Sequence, residues 1–227
     1  ITVSSLSSDN SDYKIDTVSF TIPGEITQKI LTVTAEKKTI TYGDNAPTYT
    51  VKYSGFENGE TEAVLSGTLA FSCDYDKADP ANRGAGNYDI VPSGLTSDDY
   101  EIKFVKNILQ VDKAEITLNV STSPDTLIYG AGAMPTFSYN PTGFRYDDTS
   151  AVINIKDDTV KYVHSLVETE ITDDSGTRKV ISSVADDYPV TLEMTRDGAA
   201  VFTADNYTFK VNPAKVTVTR ANLTIGD

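Results

Sequence analysis

Tyr42-Gly43-Asp44-Asn45-Ala46-Pro47, with Gly55-Phe56 after it, decides how this chain is built, because the pattern occurs twice. Tyr129-Gly130, Pro135 and Gly143-Phe144 restate it 87 or 88 residues further on, so the register holds across the segment. Later markers also return: Tyr88 as Tyr188, Asp99-Tyr100 as Asn206-Tyr207, and Lys113-Ala114 as Arg220-Ala221. Upstream, Ile1-Thr2-Val3 with Asp12-Tyr13-Lys14-Ile15 matches Ile90-Val91-Pro92 with Asp99-Tyr100-Glu101-Ile102. The expected division is therefore residues 1–29 as the C-terminal part of a preceding repeat, 30–115 as a complete repeat, 116–221 as a second, and 222–227 as the start of a following one. On that reading the chain is a piece of a longer array. Each complete copy is long enough to bury a core of its own, unlike the roughly 20–45-residue units of solenoids.

Within each copy the apolar residues alternate with polar ones. Leu31, Val33 and Ala35 alternate with Thr32 and Thr34; Tyr49, Val51 and Tyr53 with Thr50 and Lys52; Tyr100, Ile102 and Phe104 with Glu101 and Lys103. Successive strand side chains point to opposite faces, so these segments read as strands with one face buried and one wet, antiparallel by the usual association of that pattern. The pattern predicts strands over 30–36, 39–43, 48–54, 67–73, 86–91, 100–105 and 108–112. Turns are expected at 43–47, 80–86 and 92–94, where Gly, Pro and Asn collect. One short helix is expected over 58–65, capped by Asn58 with Glu60 and Glu62 in its first turn, and a counterpart over 147–153. The fold class expected is mainly β: tandem antiparallel domains, each with one short helix in a β-grasp-like plan, the alternative being immunoglobulin-like β-sandwiches. The second copy is longer, and Tyr162–Ile171 with Asp173-Asp174-Ser175-Gly176 predicts an inserted hairpin within 157–184.

A formal net charge of −14 argues against nucleic acid and anionic membranes, since both require clustered cations. Tyrosine supplies 13 aromatic residues, phenylalanine 8 and tryptophan none, a modest core at 39% hydrophobic residues but far from a disordered composition. The single cysteine, Cys73, excludes an internal disulfide and falls on the apolar side of the alternation Leu69, Phe71, Cys73. There is no long apolar run to insert in a membrane.

Residues able to carry chemistry are few. His164 is the only histidine and sits in a strand-like alternation with Tyr162 and Leu166, away from any nucleophile pattern. Tyr162 and His164 are the candidate binding residues, because insertions in repeats are where specific contacts arise. Asp74, Asp76 and Asp79 form one candidate calcium cluster and Asp9, Asn10 and Asp12 another, though neither follows the spacing of a dedicated calcium loop. Paired carboxylates abound without marking a catalytic cleft, so an enzyme is not expected.

The run Ile30-Leu31-Thr32-Val33-Thr34-Ala35, then Ile40-Thr41-Tyr42-Gly43-Asp44 and Pro47, resembles the opening of the MBG repeat of bacterial surface adhesins, the type with a Tyr-Gly signature. Gly55-Phe56-Glu57-Asn58-Gly59-Glu60-Thr61, Gly86-Asn87-Tyr88-Asp89-Ile90 and Leu109-Gln110-Val111-Asp112-Lys113-Ala114 continue the resemblance. It covers the first copy throughout and the second at its ends, where Ala131 replaces Asp44. The resemblance implies an extracellular, non-enzymatic stalk or spacer segment of a large bacterial cell-surface protein, with neighbouring repeats as its partners. The alternatives are an adhesive module for host glycan or protein, and an accessory module of a secreted carbohydrate-active enzyme. In the signature itself, Gly43 and Gly130 are expected to relieve a tight bend, and Tyr42 and Tyr129 to bury a ring with the hydroxyl on a backbone partner.

Overall fold

The computed structural model describes Asp12, residues 24–184 and residues 186–222. The strands expected within 1–23 and 223–227, and the Asp9 and Asn10 cluster, lie outside the described residues. The first copy forms β1 (Lys29–Ala35), β2 (Lys38–Thr41), β3 (Val51–Ser54), β4 (Ser66–Ser72), β5 (Gly86–Thr96), β6 (Tyr100–Val105) and β7 (Asn107–Asp112). The second forms β8 (Ala114–Ser123), β9 (Thr126–Ile128), β10 (Thr136–Thr142), β11 (Asn154–Ile155), β12 (Tyr162–Val163), β13 (Glu168–Asp173), β14 (Gly176–Ile181), β15 (Asp187–Leu192), β16 (Thr195–Arg196), β17 (Ala199–Ala200), β18 (Phe202–Thr203), β19 (Tyr207–Asn212) and β20 (Ala214–Thr219). The chain is mainly β, as the alternation dictates.

Two compact units result, and their boundaries run through the first copy. One comprises Ile1–Ala35, Thr50–Phe71 and Val91–Lys106; the other comprises Glu36–Tyr49, Ser72–Ile90 and Asn107–Asp227. In the first unit β1 is the central strand, flanked by β3 and β6. Leu31, Val33 and Tyr100 are buried there, with Val51, Tyr53, Phe56, Leu65, Leu95 and Ile102 packed around them. The odd positions of β1 face this core and its threonines do not, which is the period-two pattern of the sequence put to use.

The second unit holds three comparable sheets. β8 is flanked by β10 and β19, as β1 is by β3 and β6. β7 is flanked by β2 and the first half of β5, and β20 by β9 and β15, with β12 added at the edge of β15. Their central strands are the best buried: Leu109 and Val111, Ile116 and Leu118, Val216 and Val218 are all at most 3% exposed. The expected inserted hairpin is present as β13 and β14, closed by a two-residue turn between Asp173 and Gly176.

Three expectations are corrected. Pairing is not antiparallel throughout: β1 with β6, β2 with β7, β8 with β19 and β9 with β20 run parallel. Alternation specifies which face a residue takes and carries no information about strand direction. The helix expected over 58–65 is one 3₁₀ turn, Glu62–Val64, matched by Ser150–Val152 in the second copy. Thr61 and Thr149 cap these turns by accepting from the N–H of Ala63 and Ala151, whereas Asn58 has a φ of +52° and caps nothing. Finally, the turn expected at 92–94 lies inside β5, where Gly94, at φ +89°, lets the strand continue past a close backbone approach to Thr68.

Candidate functional site

Both copies fasten their Gly-Phe loop with the same pair of groups. In the first unit β6 opens with Tyr100, whose hydroxyl accepts from the Glu57 N–H at 3.0 Å and donates to the Glu60 carboxylate. In the second unit β19 opens with Tyr207, whose hydroxyl accepts from the Arg145 N–H at 2.8 Å and donates to Asp148 Oδ2 at 2.6 Å. Phe56 meets Tyr100 edge-on at 5.6 Å, and Phe144 meets Tyr207 in the same manner at 6.1 Å. The hydrogen bond to Glu60, with burial adding to it, pushes the Tyr100 hydroxyl up to about 12. Burial first and Asp148 second raise Tyr207. A phenol held between a backbone donor and a carboxylate is a structural pin, and both rings are at most 5% exposed.

Asp148 also belongs to a second arrangement within the same unit, in which the Tyr-Gly turn of the first copy meets the loop of the second. Tyr42, 2% exposed, donates to Asp148 Oδ2 at 3.0 Å and packs edge-on against Tyr146 at 5.2 Å and Tyr207 at 5.4 Å. Gly43, at φ +100°, lies directly under the Arg145 stem: a β-carbon there would come within 2.8 Å of it. The Arg83 guanidinium stands 4.0 Å over the Tyr146 ring. At the rim, the Lys113 ammonium donates to the Ala204 carbonyl at 3.0 Å and the Ala85 N–H to Asn206 Oδ1 at 2.8 Å. Tyr146 has a φ of +53°, a left-handed conformation that costs a bulky residue about 1–2 kcal/mol and is sustained here by the ring contacts. Burial, and then the bond to Asp148, raises the Tyr42 hydroxyl.

The expectation for the two signature tyrosines is thus corrected. Tyr42 is buried but its hydroxyl reaches a carboxylate instead of backbone, and Tyr129 is 50% exposed. The bend at both glycines is as expected, with φ of +100° and +86°. The carbonyl that follows each glycine is satisfied differently in the two copies. Asp44 O accepts from the Tyr75 hydroxyl at 2.9 Å, and Ala131 O accepts from the Ile181 N–H of the inserted hairpin at 2.8 Å.

The residues singled out from the sequence do not converge on one place. Asp76 and Asp79 accept from the N–H groups of Ala78 and Ala81, both at 2.9 Å, and Asp79 also accepts from the Asn82 amide. Asp74 is exposed nearby. Among the described residues, no three His, Cys, Asp or Glu side chains gather where they could hold a metal ion. Tyr162 lies 5.5 Å and His164 4.9 Å from the Phe137 ring, so both pack against β10. Cys73 is half-buried. The pins and the junction lie outside the candidates named from the sequence. Their signal was the acid four places after each Gly-Phe phenylalanine, Glu60 and Asp148, taken together with the paired Asp/Asn-Tyr dipeptides.

The two copies thus share the pairing around β1 and β8, the loop pin and the bend at the Tyr-Gly turn. Residues 31–110 match the family model of the MBG domain (YGX type), which covers most of the first copy. No curated protein matches the chain. Among the described residues no helix is long and apolar enough to cross a membrane.

Proposed function

We propose that this chain is a non-enzymatic, extracellular repeat segment of a bacterial cell-surface adhesin, acting as a stalk that links other parts of that protein. The observation that carries this reading is the junction around Tyr42. There, the polar and aromatic groups that differ from plain strand-forming residues are used to fasten one copy to the next. The MBG match supports a surface-protein repeat module, and a net charge of −14 suits a chain kept soluble outside the cell.

The test is a glycan array and a panel of host matrix proteins probed with the whole chain, in parallel with a variant in which a two-residue linker replaces residues 168–181. The stalk predicts no binding by either protein. Binding by the whole chain would overturn it in favour of an adhesive module, seated on the hairpin if it disappears with residues 168–181 and tested next at Tyr162 and His164 if it persists. Hydrolysis or transfer detected on any arrayed glycan would overturn the non-enzymatic part.

A further inference from the structure

The two Tyr-Gly turns are built alike and covered differently. Tyr42 N–H donates to Asp112 O at 2.8 Å, and Tyr129 N–H donates to Thr219 O at 2.9 Å, each beside a parallel strand pair. Tyr88 and Tyr188 each donate to the carbonyl four residues back, at 2.9 and 2.8 Å, so the neighbouring strands also correspond. The face around Tyr129 is therefore the counterpart of the face around Tyr42. Around Tyr42 it is sealed by Arg145, Tyr146, Asp148 and Tyr207. Around Tyr129, among the described residues, it is open: Ile128, Tyr129 and Val184 are 57%, 50% and 70% exposed. A β-carbon placed on Gly130 would meet nothing within 4 Å, and a cleft of about 470 Å³ is lined by Tyr129, Val184, Arg220 and Ala221.

We propose that this open face is a socket for another repeat of the same kind, and that in a solution of this chain the occupant is the Glu57–Glu60 loop and Tyr100 of a second copy. The internal junction dictates the pairing. Tyr129 takes the place of Tyr42 and donates to Glu60, which stands where Asp148 stands. Gly130 lies under Glu57, as Gly43 lies under Arg145. Arg220 donates to the Ser97 carbonyl, as Lys113 does to Ala204 O. The charges agree as well: in the cleft of the first unit Lys29 pairs with Glu57 and Tyr100 bonds Glu60, leaving Asp98 and Asp99 as the acidic rim, and the socket offers Arg220. Arginine in place of lysine supplies a fork of donors for that acidic rim. Socket and loop are different surfaces, so the contact is heterologous and copies add in series without using up their own binding surfaces. The inference rests on the array reading only in taking a repeat as the occupant.

Sedimentation equilibrium of the whole chain, from about 10 μM to about 1 mM in moderate salt, tests the proposal over the range where small interfaces fill. The expected result is concentration-dependent association with Kd in that range. Tyr129→Ala and Arg220→Glu in the socket, or Asp98→Lys with Asp99→Lys beside the loop, should each weaken it at least tenfold. A socket variant mixed with the loop variant should form a one-to-one pair that neither forms alone. All these positions are exposed, and unchanged thermal unfolding of each variant establishes that it is folded. A wild-type chain monomeric at every concentration, variants that associate like wild type, or a mixture that fails to pair would each overturn the socket. Binding to glycan or matrix protein would count against the stalk and leave the socket untouched.

Discussion

Tyr42 and Tyr129 occupy equivalent places in the sequence, so truncating each to alanine gives a comparison with its control built in. Tyr42 is 2% exposed, has two edge-on ring contacts at 5.2 and 5.4 Å, and donates to Asp148. Removing a buried aromatic side chain costs about 3–5 kcal/mol, and the paired rings place this one in the upper half of that range. The lost hydrogen bond adds little, because Asp148 keeps the Tyr207 hydroxyl at 2.6 Å and is not left unpaired. The total is about 4 kcal/mol for Tyr42→Ala, against at most about 1 kcal/mol for Tyr129→Ala, whose ring is half exposed. With a urea slope of about 2 kcal/mol/M, the first midpoint falls by about 2 M and the second by no more than about 0.5 M. Urea unfolding followed by far-UV circular dichroism and tyrosine fluorescence reads both, since the chain has no tryptophan. Amide exchange should localise the loss. Ile116 and Leu118 in the second unit exchange faster in Tyr42→Ala, while Leu31 and Val33 in the first keep their protection. Equal midpoint shifts for the two variants, or a loss of protection centred on Leu31 and Val33, would refute the reasoning that the Tyr42 face is a sealed joint.

The other predictions concern the pin and the strand ladders. Tyr207→Phe removes a bond to a carboxylate and strands the Arg145 N–H, costing about 2–3 kcal/mol by denaturant melts; Asp148→Asn, which keeps an acceptor, should cost less. At high pH the raised tyrosines make stability fall. Tyr42, Tyr100 and Tyr207 have folded-state values above the unfolded value near 10. Their contribution is complete below about pH 10 and is lost as pH climbs through the folded values, which for Tyr100 is about 12. The share of tyrosinate absorbance that disappears in Tyr42→Phe, Tyr100→Phe or Tyr207→Phe should therefore rise in step with loss of circular dichroism above about pH 10, instead of ahead of it. In acid, Asp187 has the opposite sign. Lys215 at 2.7 Å and Thr217 at 2.5 Å hold its carboxyl below the ordinary range, so its contribution is present above about pH 4 and lost as pH falls through the lowered value. Asp187→Asn should flatten that part of the acid limb in a pH series of melts.

Strand positions were legible because burial in a sheet leaves a direct mark, and β1 shows it: Leu31, Val33 and Ala35 are buried and the threonines between them are not. Direction left no mark, since β6 reads the same whether it runs with β1 or against it. The loop at 58–65 reads as a short helix because Glu60 fits two roles. As the acid of a first helical turn it suits the dipole, but a phenol at the start of β6 offers it a direct hydrogen bond, and the loop folds around that instead. Pro92-Ser93-Gly94 has the composition of a turn, yet it lies within a strand because a close backbone approach to Thr68 calls for glycine there. The pins were half visible, as recurring residues at matched offsets. Their meaning depended on which tyrosine meets which acid, and that is set by folding residues 40 or 59 positions apart onto one another. The junction was less legible still, because Tyr42-Gly43 and Tyr129-Gly130 are the same dipeptide, and nothing in it tells which tyrosine is covered.

The two copies diverge in a way that follows from hydrogen-bond accounting at the Tyr-Gly turn. The carbonyl after each glycine needs a donor when the turn packs against its sheet. The first copy supplies a side chain, the Tyr75 hydroxyl, from the loop between β4 and β5. The second supplies backbone, the Ile181 N–H, and Ile181 O in return accepts from the Gly130 N–H at 2.9 Å. A backbone donor arriving from a hairpin makes the tyrosine dispensable, and it also anchors the hairpin at its second strand, where Val180 and Ile181 are buried. The insertion is therefore attached to the repeat through the turn itself and leaves the Tyr207–Asp148 pin untouched. The copies differ beside the turn, where either kind of donor satisfies the same carbonyl. At the pin both copies carry tyrosine, because one hydroxyl must both accept from a backbone N–H and donate to a carboxylate, a pair of tasks that among aromatic side chains only a tyrosine performs.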